Sequence, residues 1–165
     1  MQEDSSAKAP AANTSDRTAD ARRATLPSAS VPAASPGRET ILLAEDDPAV
    51  RRFVRVVLES RGYVVLDAPD GEQALAVSER HGGSIDLLLT DVEMPTMGGP
   101  ALARELTVRR PGTPILFMSG AGPRALVGPG SAVAAPWCLA KPFTPARLLT
   151  NVREAIGSRG RRLHG

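Results

Sequence analysis

The chain has 165 residues, 15 of them Gly and 15 Pro, and a 42% hydrophobic fraction, which gives room for one ordinary domain with a real core. A net charge of only +2, with the arginines scattered apart from the terminal "RGRRLHG", excludes the dense basic footprint of a nucleic-acid binder. The single Cys138 excludes an internal disulfide, and no apolar run is long enough to span a bilayer, so a cytoplasmic protein without membrane or nucleic-acid partners is expected.

Residues 1–37 are rich in Ala, Ser, Thr and Pro and poor in large apolar side chains, a composition that predicts a disordered tail. A domain over 38–158 follows, then a basic flexible tail over 159–165. "TILLA" reads as a buried strand. Behind it Val50, Phe53, Val54, Val57 and Leu58 recur at helical spacing and predict one buried helix face, with Asp47 as cap, Pro48 in the first turn and Gly62 as stop.

The pattern repeats. "YVVLD" predicts a strand, "DGEQALAVSER" a helix capped by Asp70, "IDLLLT" a strand, and "PALARELTVRR" a helix opened by Pro100. "PILFM" and "PWCLA" predict two further strands. "TPARLLTNVREAI" predicts a closing helix with Thr144 as cap and Leu148, Leu149, Val152 and Ile156 on one face. His81 and His164 stand too far apart for a zinc site and are expected to be solvated.

Strands that are apolar on both faces and alternate with helices imply a five-stranded, doubly wound parallel α/β sheet with helices on both faces. Ligands of such sheets collect outside the carboxyl ends of the strands. There this sequence puts Glu45 and Asp46, Asp91, Ser119, and Lys141. Three carboxylates from two strands suit a hard cation such as Mg²⁺, which offsets their mutual repulsion. Asp91 is then a candidate nucleophile for a phosphoryl group, with the Ser119 hydroxyl and the Lys141 ammonium to receive its oxygens.

The motifs "ILLAEDDPAVRR", "LLLTDVEMPTMGG", "ILFMSG" and "LAKPF", in that order, resemble the receiver domain of two-component response regulators over Thr40 to Ile156, including receivers of the kind found in hybrid histidine kinases. The resemblance implies a flavodoxin-like sheet of order 2-1-3-4-5 and a signalling acceptor rather than an enzyme in its own right, and with no sequence after Gly165 a stand-alone regulator without a DNA-binding output domain is expected. It makes Asp91 the phosphoacceptor for a sensor histidine kinase or phosphotransfer protein. Asp46 and Asp91 become Mg²⁺ ligands, with Glu45 acting through water and Glu93 through its backbone carbonyl. Ser119 matches the switch hydroxyl, Lys141 the family's lysine, and Pro142 the proline that follows it through a cis bond. Met94, Pro95 and Gly99 match the loop after the acceptor.

Two features depart from that family. Cys138 stands where an aromatic ring usually rotates on phosphorylation, with Trp137 on the opposite face of the strand, and "GPG" interrupts the helix expected before the fifth strand. A phosphorylation-independent scaffold therefore competes with the receiver reading. An aspartyl-phosphate phosphohydrolase is disfavoured, because "DVE" lacks a second Asp two residues beyond the first to serve as acid/base.

Overall fold

The computed structural model describes residues 39–121 and 137–162, with side chains up to 159, all within one unit running from Ala33 to Gly165. The proposed disordered tail and the "GPG" interruption lie outside the described residues. In chain order the elements are β1 (Thr40–Ala44), α1 (Pro48–Glu59), β2 (Val64–Ala68), α2 (Gly71–Arg80), β3 (Leu87–Asp91), α3 (Gly99–Arg109), β4 (Ile115–Ser119), β5 (Trp137–Ala140) and α4 (Pro145–Arg162). The strands form one parallel sheet in the order β2-β1-β3-β4-β5.

Alternation along the central strands divides the core in two. Ile41 and Leu43, with Leu87, Leu89, Leu116 and Met118, face Val54 and Leu58 of α1 and Leu148 and Val152 of α4. Leu42 and Ala44, with Leu88 and Phe117, face Ala74 of α2 and Leu102 and Leu106 of α3. Each fully buried leucine contributes roughly 2 kcal/mol against the entropy of ordering the chain. Among the described residues no helix is long and apolar enough to cross a membrane.

The helix starts follow the local chemistry. Asp47 accepts hydrogen bonds from the backbone N–H groups of Ala49 (2.7 Å) and Val50 (3.2 Å), so one of the three consecutive acids is a cap. These bonds lower its pKa below the ordinary aspartate value. Asp70 caps α2 through the Gln73 N–H at 2.8 Å. The other end of α2 is closed by Arg110, whose guanidinium donates to the carbonyls of Ser78 (2.6 Å), His81 (2.7 Å) and Gly83 (2.8 Å) and to the Ser78 hydroxyl (2.9 Å). A cation at a helix C-terminus satisfies carbonyls that have no partner within the helix.

Four expectations are corrected. Phe53, expected in the buried face of α1, is 40% exposed and lies 6.3 Å from the Phe143 ring. The rest of the face it was assigned to is covered: Val54 and Leu58 are fully buried, and Val50 and Val57 pack half-buried against the same core. Residues 159–162, expected to open a flexible tail, continue α4 past Gly157, and Arg159 donates to Asp86 at 2.9 Å, while 163–165 lie outside the described residues. His81 is half-buried with Nε2 buried and unpartnered, because the close of α2 folds it against Gly83. Finally, β2, β3 and β4 each end one residue later than expected, so Asp91 and Ser119 are the last residues of their strands rather than the first residues beyond them.

Candidate functional site

Strand order reverses between β1 and β3, and the crevice at their carboxyl ends is where crossovers leave in opposite directions. Glu45 and Asp46 follow β1, and Asp91 ends β3 one strand away. One carboxylate oxygen from each lies within 4.8 Å of the others. Glu45 is fully buried, Asp91 is 8% exposed, and Asp46 faces solvent.

Lys141, just beyond β5, reaches back across the sheet. Its ammonium donates to Asp91 Oδ2 at 2.6 Å and to Glu45 Oε2 at 2.8 Å. Burial alone disfavours the charged lysine, but the bonds to Asp91 and Glu45 outweigh it and raise its pKa. Burial pushes the Glu45 carboxyl up from the ordinary value, the Asp91 charge adds to the rise, and Lys141 and the Asp47 N–H work against it. That N–H donates to Glu45 Oε1 at 3.3 Å.

The other expected residues are placed as follows. Ser119 is 3% exposed, its hydroxyl accepts from the Ala121 N–H at 3.2 Å, and its carbonyl accepts from the Lys141 N–H at 2.9 Å. Glu93 is exposed, and its N–H donates to Asp91 Oδ1 at 3.4 Å. The Lys141–Pro142 bond is cis. Cys138 packs with the α2–α3 side of the core while Trp137 packs with the α1–α4 side, so the two side chains occupy opposite faces of β5 as expected. Burial raises the pKa of the Cys138 thiol.

The loop after Asp91 is held tightly. Thr96 has φ 66°, a left-handed conformation that costs a β-branched residue roughly 1 kcal/mol or more. Gly71 at the start of α2 donates its N–H to the Met97 carbonyl at 3.2 Å, and a Cβ on Gly71 would lie 2.6 Å from that oxygen. Gly99 is tighter still, since a Cβ there would lie 2.1 Å from the Asp91 carbonyl oxygen. The glycines of "TMGGP" therefore do more than make a turn: one lets α3 press on the acceptor's own peptide. A glycine opening a helix beside a strand end was the available signal, but only the distance shows the need.

A family profile described as a response regulator receiver domain matches residues 41–153. This chain belongs to the response regulator receiver family. The receiver is 37% identical over 116 residues to the response regulator receiver protein CpdR of Brucella abortus, covering 70% of this chain and 95% of CpdR. It is 41% identical over 120 residues to the sensor kinase CckA of the same organism, covering 73% of this chain but only 13% of the kinase. The crystal structure of the receiver domain from the hybrid histidine kinase CckA matches with a TM-score of 0.61 at 35% identity, over 71% of this chain and 98% of that domain. Membership of the receiver family and the flavodoxin-like sheet expected from the motifs are thereby established, as is the similarity to receivers of hybrid kinases.

Proposed function

We propose that this receiver takes a phosphoryl group onto Asp91 from the phosphohistidine of a sensor histidine kinase or phosphotransfer protein, with Mg²⁺ held by Asp46, Asp91 and the Glu93 carbonyl, and by Glu45 through water. The observation that carries the reading is the Lys141 ammonium within hydrogen-bond distance of both Asp91 and Glu45, next to a carboxylate set made wholly of hard oxygen donors. The donor chemistry fits the ion, which when bound would offset the charge of the carboxylates and of the incoming phosphoryl oxygens.

In the transfer an Asp91 carboxylate oxygen forms the new O–P bond as the N–P bond of the phosphoimidazole breaks. The bonding pair returns to the imidazole nitrogen, and the ring, protonated on its other nitrogen, leaves neutral. Lys141 exchanges its bond to Asp91 for one to a phosphoryl oxygen, and the Ser119 hydroxyl donates to another. The protein acts stoichiometrically, as an acceptor rather than as a turnover enzyme. A stand-alone cytoplasmic regulator, passing its signal to a protein and not to DNA, is the accompanying proposal, of which only the receiver-only architecture is supported, by the match over 95% of CpdR.

Treating the full chain with acetyl phosphate and Mg²⁺ is expected to add the mass of one phosphoryl group, and EDTA is expected to prevent the addition. No adduct under these conditions would favour the phosphorylation-independent scaffold. Continuous release of inorganic phosphate from a small ester without an accumulating adduct would favour the phosphohydrolase.

A further inference from the structure

The acids at the end of β1 are held from behind by a side chain that the receiver reading does not use. Arg51, on the first turn of α1, folds back so that Nη1 donates to the Glu45 carbonyl at 2.6 Å and to the Asp46 carbonyl at 3.3 Å. Both carbonyls lie beyond the β1–β2 and β1–β3 pairings, which end at Ala44. Arg51 is itself braced, since its Nε lies 3.6 Å from Oδ2 of Asp67 on β2. The other oxygen of Asp67 accepts from Arg55 at 2.9 Å. Asp67 pairs in register with Leu43, two residues before Glu45, so the brace is fixed to the sheet that carries the acids.

We propose that Arg51, braced by Asp67, is a positioning residue for the metal-binding acids: by holding the Glu45 and Asp46 carbonyls it sets the two peptide planes from which their side chains enter the site. The proposal rests on the reading of Glu45, Asp46 and Asp91 as the Mg²⁺ site. Groups that orient metal ligands without touching the ion commonly govern affinity about as strongly as 10-fold or more. A guanidinium suits the task because one of its NH₂ groups, Nη1, serves both carbonyls while Nε of the same rigid plane turns toward the Asp67 carboxylate and fixes its rotation.

Two simpler accounts predict different results. If Arg51 only satisfied turn carbonyls, it would act as Arg110 does at the end of α2, supporting the fold and nothing else. If Arg51 acted only through its charge, its removal beside three carboxylates would strengthen cation binding. Positioning predicts weaker binding instead, so the sign of the change discriminates.

The test is titration of the metal-free full chain with Mg²⁺ alone by calorimetry, with thermal melts of the same samples. Arg51→Gln is expected to raise the Mg²⁺ Kd about 10-fold or more. Arg51→Lys should recover part of the loss, and Asp67→Asn should weaken binding in the same direction by less. Arg110→Ala should lower the melting temperature and leave Kd alone. An Arg51→Gln protein that melts lower but binds Mg²⁺ as wild type does, or binds it more tightly, overturns the proposal. Should Arg51→Gln not fold, an unchanged Kd in Asp67→Asn overturns it instead. Failure of the wild type to bind Mg²⁺ would remove the metal-site reading itself, whereas equal binding by wild type and variants removes only the role of Arg51.

Discussion

Gly99→Ala is expected to cut labelling of Asp91 about 100-fold and to destabilise the protein by roughly 1 to 3 kcal/mol. The added Cβ would sit 2.1 Å from the Asp91 carbonyl oxygen and 3.0 Å from its carbonyl carbon, and these are backbone atoms that no rotamer change can move aside. Either α3 retreats or the end of β3 shifts. The Gly99 N–H also donates to the Val92 carbonyl at 3.1 Å, so the helix and the strand end move together. A displacement near 1 Å at the acceptor suffices for the predicted loss, since nucleophile, ammonium and metal ligands must converge on one phosphoryl group. Gly82→Ala, where an added Cβ meets nothing within 4 Å, is the matched control and should behave as wild type. Acetyl phosphate labelling rates and denaturant midpoints of the two variants decide the matter. A Gly99→Ala protein with wild-type rate and midpoint would show that the helix start does not position Asp91.

Lys141→Met is expected to reduce labelling about 100-fold, the usual consequence of deleting one donor aimed at developing charge. Its effect on stability has a distinct pH signature. In Mg²⁺-free buffer at neutral pH the substitution leaves the buried Glu45 carboxylate without its cation, a loss of about 3 kcal/mol. Glu45 already has a raised pKa because burial disfavours its charge, and losing Lys141 raises it further. A carboxyl with a folded pKa above its unfolded one binds protons more tightly in the folded state, so stability falls as pH rises through that range. The penalty of Lys141→Met should therefore be full above the raised Glu45 pKa and shrink as pH falls through it, within the window above the ordinary glutamate range. Urea unfolding of wild type and variant at a series of pH values measures this. A penalty independent of pH would show that the loss arises from packing of the lysine stem and not from the stranded carboxylate.

Much of this was legible because the sequence writes it locally. Apolar strands of five residues, caps at Asp47 and Asp70, and prolines at helix starts fix the elements, and a parallel doubly wound sheet leaves only its carboxyl edge for chemistry. Asp46, Asp91, Ser119 and Lys141 could be named from that edge alone. The unread parts depend on geometry between distant segments. Lys141 pairs with Glu45 across 96 residues, and nothing in "LAKPF" says that the ammonium spans two carboxylates. Arg110 reads as one more basic residue at the end of a helix, yet it closes a different helix. Phe53 satisfies the helical period as well as Val54 does, but the period gives only an angular position, and whether a neighbour covers it depends on how α1 lies against α4. Gly157 resembles a helix stop, and the helix passes through it to Arg159, which ties it to Asp86 at 2.9 Å.

In the proposed reaction one carboxylate, Asp91, receives the phosphoryl group. Acetyl phosphate and Mg²⁺ label the full chain, borohydride then reduces the acyl phosphate to homoserine, and peptide mass mapping locates the converted residue. Homoserine is expected at Asp91 alone, with no conversion in Asp91→Asn. Conversion at Asp46 or Asp47, or labelling of Asp91→Asn at the wild-type rate, would contradict it.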